Sequence, residues 1–156
     1  MKILFVCTHN RCRSILSEAL TNHRGDARLQ AASAGSQPSG EVHPLSLKYL
    51  KEMGVEISDL KSQSWDDLED FAPDVVITVC DSAAGESCPV WFGQTLKLHW
   101  GLSDPSKVEG DEATVKAAFM ACIETIQRRL DALLALEFEQ LDSDALKSAF
   151  QTLGAK

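Results

Sequence analysis

Apolar and polar positions recur along this chain with two different periods, and the switches between them lay out its elements. Residues 3–6, Ile-Leu-Phe-Val, form a short apolar run without Gly or Pro, and Ile15, Leu16, Ala19 and Leu20 then recur at helical spacing. A strand leading into a helix is predicted. Residues 29–34 read as a strand of small residues ending at Gly35, and residues 36–40 as loop by composition. Leu45, Leu47, Leu50 and Met53 supply the apolar side of a helix starting near Pro44, and Gly54 is placed to end it before an edge segment at residues 55–57. Ser64 is placed to cap a short helix reaching Leu68. The β-branched run at residues 75–79 reads as a strand buried on both faces, and residues 96–100 as a fourth strand. After a loop at residues 101–110, Val115, Ala118, Phe119, Cys122, Ile123, Ile126, Leu130, Leu133 and Leu134 keep one apolar helical face, with Asp111 and Glu112 favouring its N-terminus. A shorter terminal helix is predicted over residues 142–153.

Strands alternating with helical segments give the α/β class: an open parallel four-stranded sheet with helices on both faces, its ligands expected at the carboxyl ends of the strands. With 156 residues, no linker and no repeat, one domain spanning residues 1–156 is expected. A formal net charge of −8 argues against nucleic acid or an anionic membrane surface as a general partner. No apolar run approaches the length of a membrane span, and the first six residues are too few for the apolar core of a secretion signal. A cytoplasmic monomer is expected. Five cysteines, an odd count for a compartment that keeps thiols reduced, argue against a static disulfide framework and leave room for transient redox chemistry.

The densest chemistry lies at the first strand-to-helix turn, Cys7-Thr-His-Asn-Arg-Cys-Arg13-Ser14. The five residues between Cys7 and Arg13 can curl around one tetrahedral oxyanion, with the amides of Thr8, His9, Asn10, Arg11 and Cys12 turned inward and the positive end of the next helix behind them. Arg13 adds a planar fork for two oxyanion oxygens. Cys7 then faces the pocket as a nucleophile, and Ser14 is placed to hold its sulfur by a hydroxyl hydrogen bond. Asn10 is expected in a left-handed backbone conformation, which Asn tolerates better than most residues. Cys12 reads as a thiol packed beneath the loop.

Further candidates fall on the same edge of the sheet. Cys80 ends the third strand, and Cys88 follows it across residues 81–87, all small or polar; such a loop could bring two thiols to disulfide distance. A core role for Cys80 with an incidental Cys88 is the alternative. Asp104 precedes Pro105, which holds it extended and could aim its carboxyl at a leaving oxygen as a general acid; a plain Asp-Pro turn is the alternative. Cys122, on the apolar helix face, reads as buried and inert. Scattered histidines and the lack of Cys-x2-Cys or His-x3-His spacing argue against zinc, and no metal or cofactor is expected.

Cys-x5-Arg-Ser directly after a first strand resembles the signature of the low-molecular-weight protein tyrosine phosphatase superfold, and the likeness takes in almost the whole chain. That superfold carries its acid in an Asp-Pro loop, but Ser106-Lys107 follows here where tyrosine phosphatases place aromatic residues. Cys80 and Cys88, Val-Cys-Asp at 79–81 and His-Trp-Gly-Leu-Ser-Asp-Pro at 99–105 instead resemble the thioredoxin-coupled arsenate reductases built on that superfold. The resemblance implies arsenate as substrate, phosphate or sulfate as competing oxyanions, and a relay through Cys7, Cys80 and Cys88 with Asp104 as acid. Thioredoxin is the implied reductant, glutaredoxin with glutathione the lesser option. His9 and Arg11 stand where that family commonly has a small residue and Ser. Glu18 and Ser33, with Asn10, match positions that help bind a potassium ion in some members. Lys61 falls near a further ligand position, so either its ammonium replaces the cation or it is a solvated surface lysine. A phosphatase acting on tyrosyl or small esters, and a non-catalytic oxyanion sensor, are the competing functional readings.

Overall fold

Residues 1–24, 26–80 and 95–154 are described by the computed structural model. Strands β1 (Lys2–Cys7), β2 (Gln30–Gly35), β3 (Val75–Thr78) and β4 (Leu96–His99) form a parallel sheet in the order β2-β1-β3-β4. In β1, Ile3, Leu4, Phe5 and Val6 are all buried. Successive strand residues point to opposite faces, so both faces of the sheet are covered, as an all-parallel sheet requires.

Helices supply that cover. Helix α1 (Arg13–His23) packs on β1 and β2. It joins α2 (Pro44–Glu52) and α3 (Glu112–Leu134) in a cluster containing Leu16, Leu20, Tyr49, Leu50, Phe119, Ile123 and Leu130. A second cluster unites Phe5, Ile77 and Trp100 of the sheet region with Phe150 and Leu153 of α4 (Ser143–Gly154). The caps follow from sequence. Pro44 opens α2 behind His43, whose Nδ1 accepts from the Leu45 N–H at 3.1 Å, and Asp111 Oδ1 accepts from the Thr114 N–H at 2.8 Å at the start of α3. Among the described residues, no helix is long and apolar enough to cross a membrane.

The edge segment expected at residues 55–57 does not join the sheet. The Val55 N–H donates to the Leu50 carbonyl at 3.0 Å, completing the turn that ends α2, and its side chain is buried among the helices. The outer edge of β2 is met by Asn22 of α1 instead, whose amide donates to the Ala31 carbonyl and accepts from its N–H, each at 2.9 Å. Short 3-10 turns cover Trp65–Phe71, Pro105–Lys107 and Phe138–Gln140, the first capped by Ser64 Oγ, which accepts from the Asp66 N–H.

The strand order positions the site. From β1 the chain moves to one side for β2, then crosses over to place β3 on the other. The crevice at the carboxyl ends of β1 and β3 is therefore the switch point where open α/β sheets bind ligands. Cys7 is the last residue of β1, and Cys80 lies two residues beyond β3.

Candidate active site

Between the end of β1 at Cys7 and the start of α1 at Arg13, five residues reverse the chain. Asn10 makes the reversal with a φ of 47°, the left-handed conformation expected for it. The carbonyls of Thr8, His9 and Arg11 are drawn outward, accepting from the N–H groups of Gln37, Ser39 and His43 at 2.9, 3.0 and 2.9 Å. Carbonyls engaged by other segments suit the loop to an anion, and the Asn10 N–H points at Cys7 Sγ, 3.2 Å away. Helix α1 adds its positive end, since Cys12 at its N-cap makes no side-chain capping bond and its first turn holds no acidic residue. Gly35 permits the close approach: a Cβ there would stand 2.5 Å from the Thr8 carbonyl oxygen and 3.0 Å from that of Cys7.

A hydrogen-bond chain orients the nucleophile candidate from behind. Ser14 Oγ lies 2.9 Å from Cys7 Sγ and accepts from the Asn10 side-chain amide at 2.7 Å, which frees its own proton for the sulfur. The same amide donates to Ser33 Oγ at 3.0 Å, and Ser33 donates onward to Glu18 Oε1 at 2.6 Å. Asn10 Oδ1 is held by the Gln63 N–H at 2.8 Å. Burial raises the Glu18 carboxyl above its ordinary value, against the Ser33 bonds, and Lys61 exerts the weakest of the opposing influences. Lys61 is exposed.

In front of the loop lies a cavity of about 240 Å3. Among the described residues it is lined by the loop residues Cys7, Thr8, His9, Arg11, Cys12 and Arg13, together with Cys80, Asp104, Ser106 and Lys107. Arg13 Nη1 donates to the Leu102 carbonyl at 2.9 Å, and its Nη2 lies 3.5 Å from Asp104 Oδ2. Asp104 Oδ1 caps its own turn, accepting from the Ser106 N–H at 2.9 Å and hydroxyl at 2.5 Å, so Oδ2 is the oxygen directed toward Arg13. Thr8 Oγ1 lies 3.7 Å from Cys80 Sγ. Among the described residues, Arg11, Arg13 and Lys107 face one carboxylate, a positive hollow in a chain of net charge −8.

The sequence pattern of the low molecular weight phosphotyrosine protein phosphatase family matches residues 2–147. The chain belongs to that family. The chain is similar to an arsenate reductase of Halalkalibacterium halodurans, 34% identical over 128 residues that make up 82% of this chain and 91% of that protein. A solved arsenate reductase in the phosphate binding state superposes with a TM-score of 0.70 at 28% identity, covering 86% of this chain and 96% of that one. A thioredoxin-dependent arsenate reductase of Corynebacterium glutamicum gives a TM-score of 0.64 at 30% identity over 86% of this chain, which spans 62% of that longer one.

Of the candidate residues of this family member, Cys7, Thr8, His9, Arg11, Cys12, Arg13, Cys80 and Asp104 share the cavity, with Ser14 against the Cys7 sulfur. Asn10, Ser33 and Glu18 stand behind the loop, while Cys88 lies outside the described residues. Cys12 and Cys122 sit in the helical cluster, where burial pushes both thiols up to about 12. Sequence reading took Gly35 only as the end of a strand and passed over Gln63 and His43; all three brace the loop from distant segments. It also passed over Arg129, which is 7% exposed and donates to the carbonyls of Trp100, Gly101 and Gly154 at 3.2, 3.1 and 3.1 Å. Its place in the apolar stripe of α3, between Ile126 and Leu133, is the one signal that could have exposed it. Arg129 and Arg13 together grip the carbonyls of residues 100, 101 and 102, the approach to Asp104.

Proposed function

We propose that this chain reduces arsenate to arsenite through a three-cysteine relay recharged by thioredoxin. The observation that carries the proposal is that Cys7 and Cys80, from the ends of neighbouring strands, face one cationic cavity beside an oxyanion-sized loop. A second thiol there has no part in hydrolysing an ester, whereas arsenic(V) needs one to accept two electrons.

Arsenate is held by the loop amides and the Arg13 fork. The Cys7 thiolate attacks arsenic, an As–S bond forms, and one oxygen departs as water with a proton from Asp104. Cys80 then attacks the Cys7 sulfur. The S–S bond forms, the S–As bond breaks, and its electron pair stays on arsenic, which leaves as arsenite. Cys88 attacks Cys80 by thiol–disulfide exchange, which returns Cys7 as a thiolate and leaves a Cys80–Cys88 bridge. Cys80 is 3% exposed, so a protein dithiol needs the oxidising equivalent moved outward before it can act. Ser14 and Asn10 serve the first step by aiming hydrogen bonds at the attacking sulfur.

The test is arsenate-dependent NADPH oxidation with thioredoxin and thioredoxin reductase, repeated with glutaredoxin, glutathione and glutathione reductase. Turnover with the first set only is expected. After one turnover without reductant, mass spectrometry should find a Cys80–Cys88 bridge; both thiols still reduced beside released arsenite would overturn the relay.

A further inference from the structure

Among the described residues, two of the three cations on the oxyanion cavity have no counter-charge. Arg13 has Asp104 as its counter-charge, Nη2 to Oδ2 at 3.5 Å, and its Nη1 rests on the Leu102 carbonyl. The side chains of Arg11 and Lys107 take part in no hydrogen bond or ion pair with any described residue. Both line the cavity, Arg11 from the loop after β1 and Lys107 from the Pro105–Lys107 turn. Arg11 stands on the shoulder of the loop, where the His43 N–H fixes its carbonyl at 2.9 Å, and Lys107 closes the Pro105–Lys107 turn that Asp104 caps. The cavity, about 240 Å3, has room beyond one tetrahedral oxyanion, since a single water needs only about 10–15 Å3 on the same measure. With an oxyanion in the loop and on Arg13, room and positive charge remain at the mouth.

We propose that Arg11 and Lys107 form a second anion subsite at the mouth of the cavity, which takes the distal group of an anion of the diphosphate class while the proximal group sits in the loop. The proposal rests on the reading of the loop as an oxyanion site. Binding one anion from both segments also ties the Asp104 turn to the loop. Lys107 is exposed, so its contribution is screened by salt. Two such charge contacts amount to about a tenfold preference for diphosphate over phosphate at low ionic strength.

Titration calorimetry on the resting protein tests this without turnover, using inorganic phosphate and inorganic diphosphate as probes at matched ionic strength. Wild type should bind diphosphate about tenfold more tightly, and Arg11→Gln/Lys107→Gln should bring the two anions within about twofold. The single Lys107→Gln, at an exposed position, should narrow the gap even if the double variant folds poorly. Equal affinity for the two anions in wild type, or a gap that survives both substitutions, overturns the subsite and leaves the reductase reading standing. Failure to bind either anion sinks both.

Discussion

Cys7 and Cys80, at the carboxyl ends of the central strands, are 5% and 3% exposed; Cys12 and Cys122, in the helical cluster, are 4% and 7% exposed. Burial therefore does not separate the two pairs. What differs is the company of the sulfur. Cys7 has the Ser14 hydroxyl at 2.9 Å and the Asn10 N–H at 3.2 Å, and Cys80 has the Thr8 hydroxyl at 3.7 Å. Cys122 and Cys12 both belong to the cluster of Leu16, Phe119 and Ile126; Cys12 also touches the cavity and has Ser46 acting against its shift, yet in both desolvation dominates and pushes the thiol up to about 12. What sets Cys7 apart from Cys12 in the same loop is that both a hydroxyl and a backbone amide are aimed at its sulfur, whereas burial outweighs the one opposing side chain at Cys12.

The widest gap should appear on substitution. Cys7→Ser is expected to lower arsenate turnover at least about a thousandfold, and Cys80→Ala to stop multiple turnover while arsenate binding persists by calorimetry. Cys122→Ala should keep turnover within about twofold and cost roughly 1 kcal/mol in urea denaturation, the loss of one small buried group. If Cys122→Ala silenced the enzyme as fully as Cys80→Ala, the division would collapse. Iodoacetamide sharpens it further. At every pH well below about 12, Cys12 and Cys122 remain protonated in the folded chain, so alkylation mapped by mass spectrometry should spare both until the fold opens.

A smaller effect belongs to the segment that carries Asp104. Arg129→Met removes the donors held by the carbonyls of Trp100, Gly101 and Gly154 and should cost about 2–3 kcal/mol in urea denaturation. Arg129→Lys should recover less than half of that, because one ammonium cannot span three separated acceptors. Full stability of the methionine variant would mean that these carbonyls find other partners.

The sheet, the order of strands and helices, and the Cys7 loop were legible because each is written in contiguous residues: an apolar run, a helical period, a five-residue gap before Arg13. The braces were not. Gly35, Gln63 and His43 act on the loop from 28, 53 and 32 positions beyond Cys7, Asn10 and Arg11 respectively, through backbone contacts that no side-chain pattern announces. The segment at residues 55–57 misled because alternation alone marks a half-buried stretch, and the turn ending α2 buries Val55 just as well. Arg129 was hidden by its own stripe, a cation among apolar neighbours whose acceptors are set by tertiary packing.

The polar side of the cysteine comparison rests on the chain of bonds that ends at Glu18, and that end has a pH signature. Burial raises the Glu18 carboxyl in the folded state above the 4.5 of the unfolded chain. Below 4.5 both states are protonated and the contribution to stability is fully present; as pH climbs through the folded-state value the unfolded chain has released its proton first, and the contribution is lost. Glu18→Gln keeps an oxygen for the Ser33 hydroxyl but carries nothing to ionise. Urea midpoints taken from acid to neutral pH should therefore show the variant gaining on wild type from about 4.5 upward and then levelling off. If wild type gains instead, the Ser33 bonds and the Lys61 charge outweigh desolvation, and the anchor behind the Cys7 loop is a carboxylate stabilised in place rather than one strained by burial.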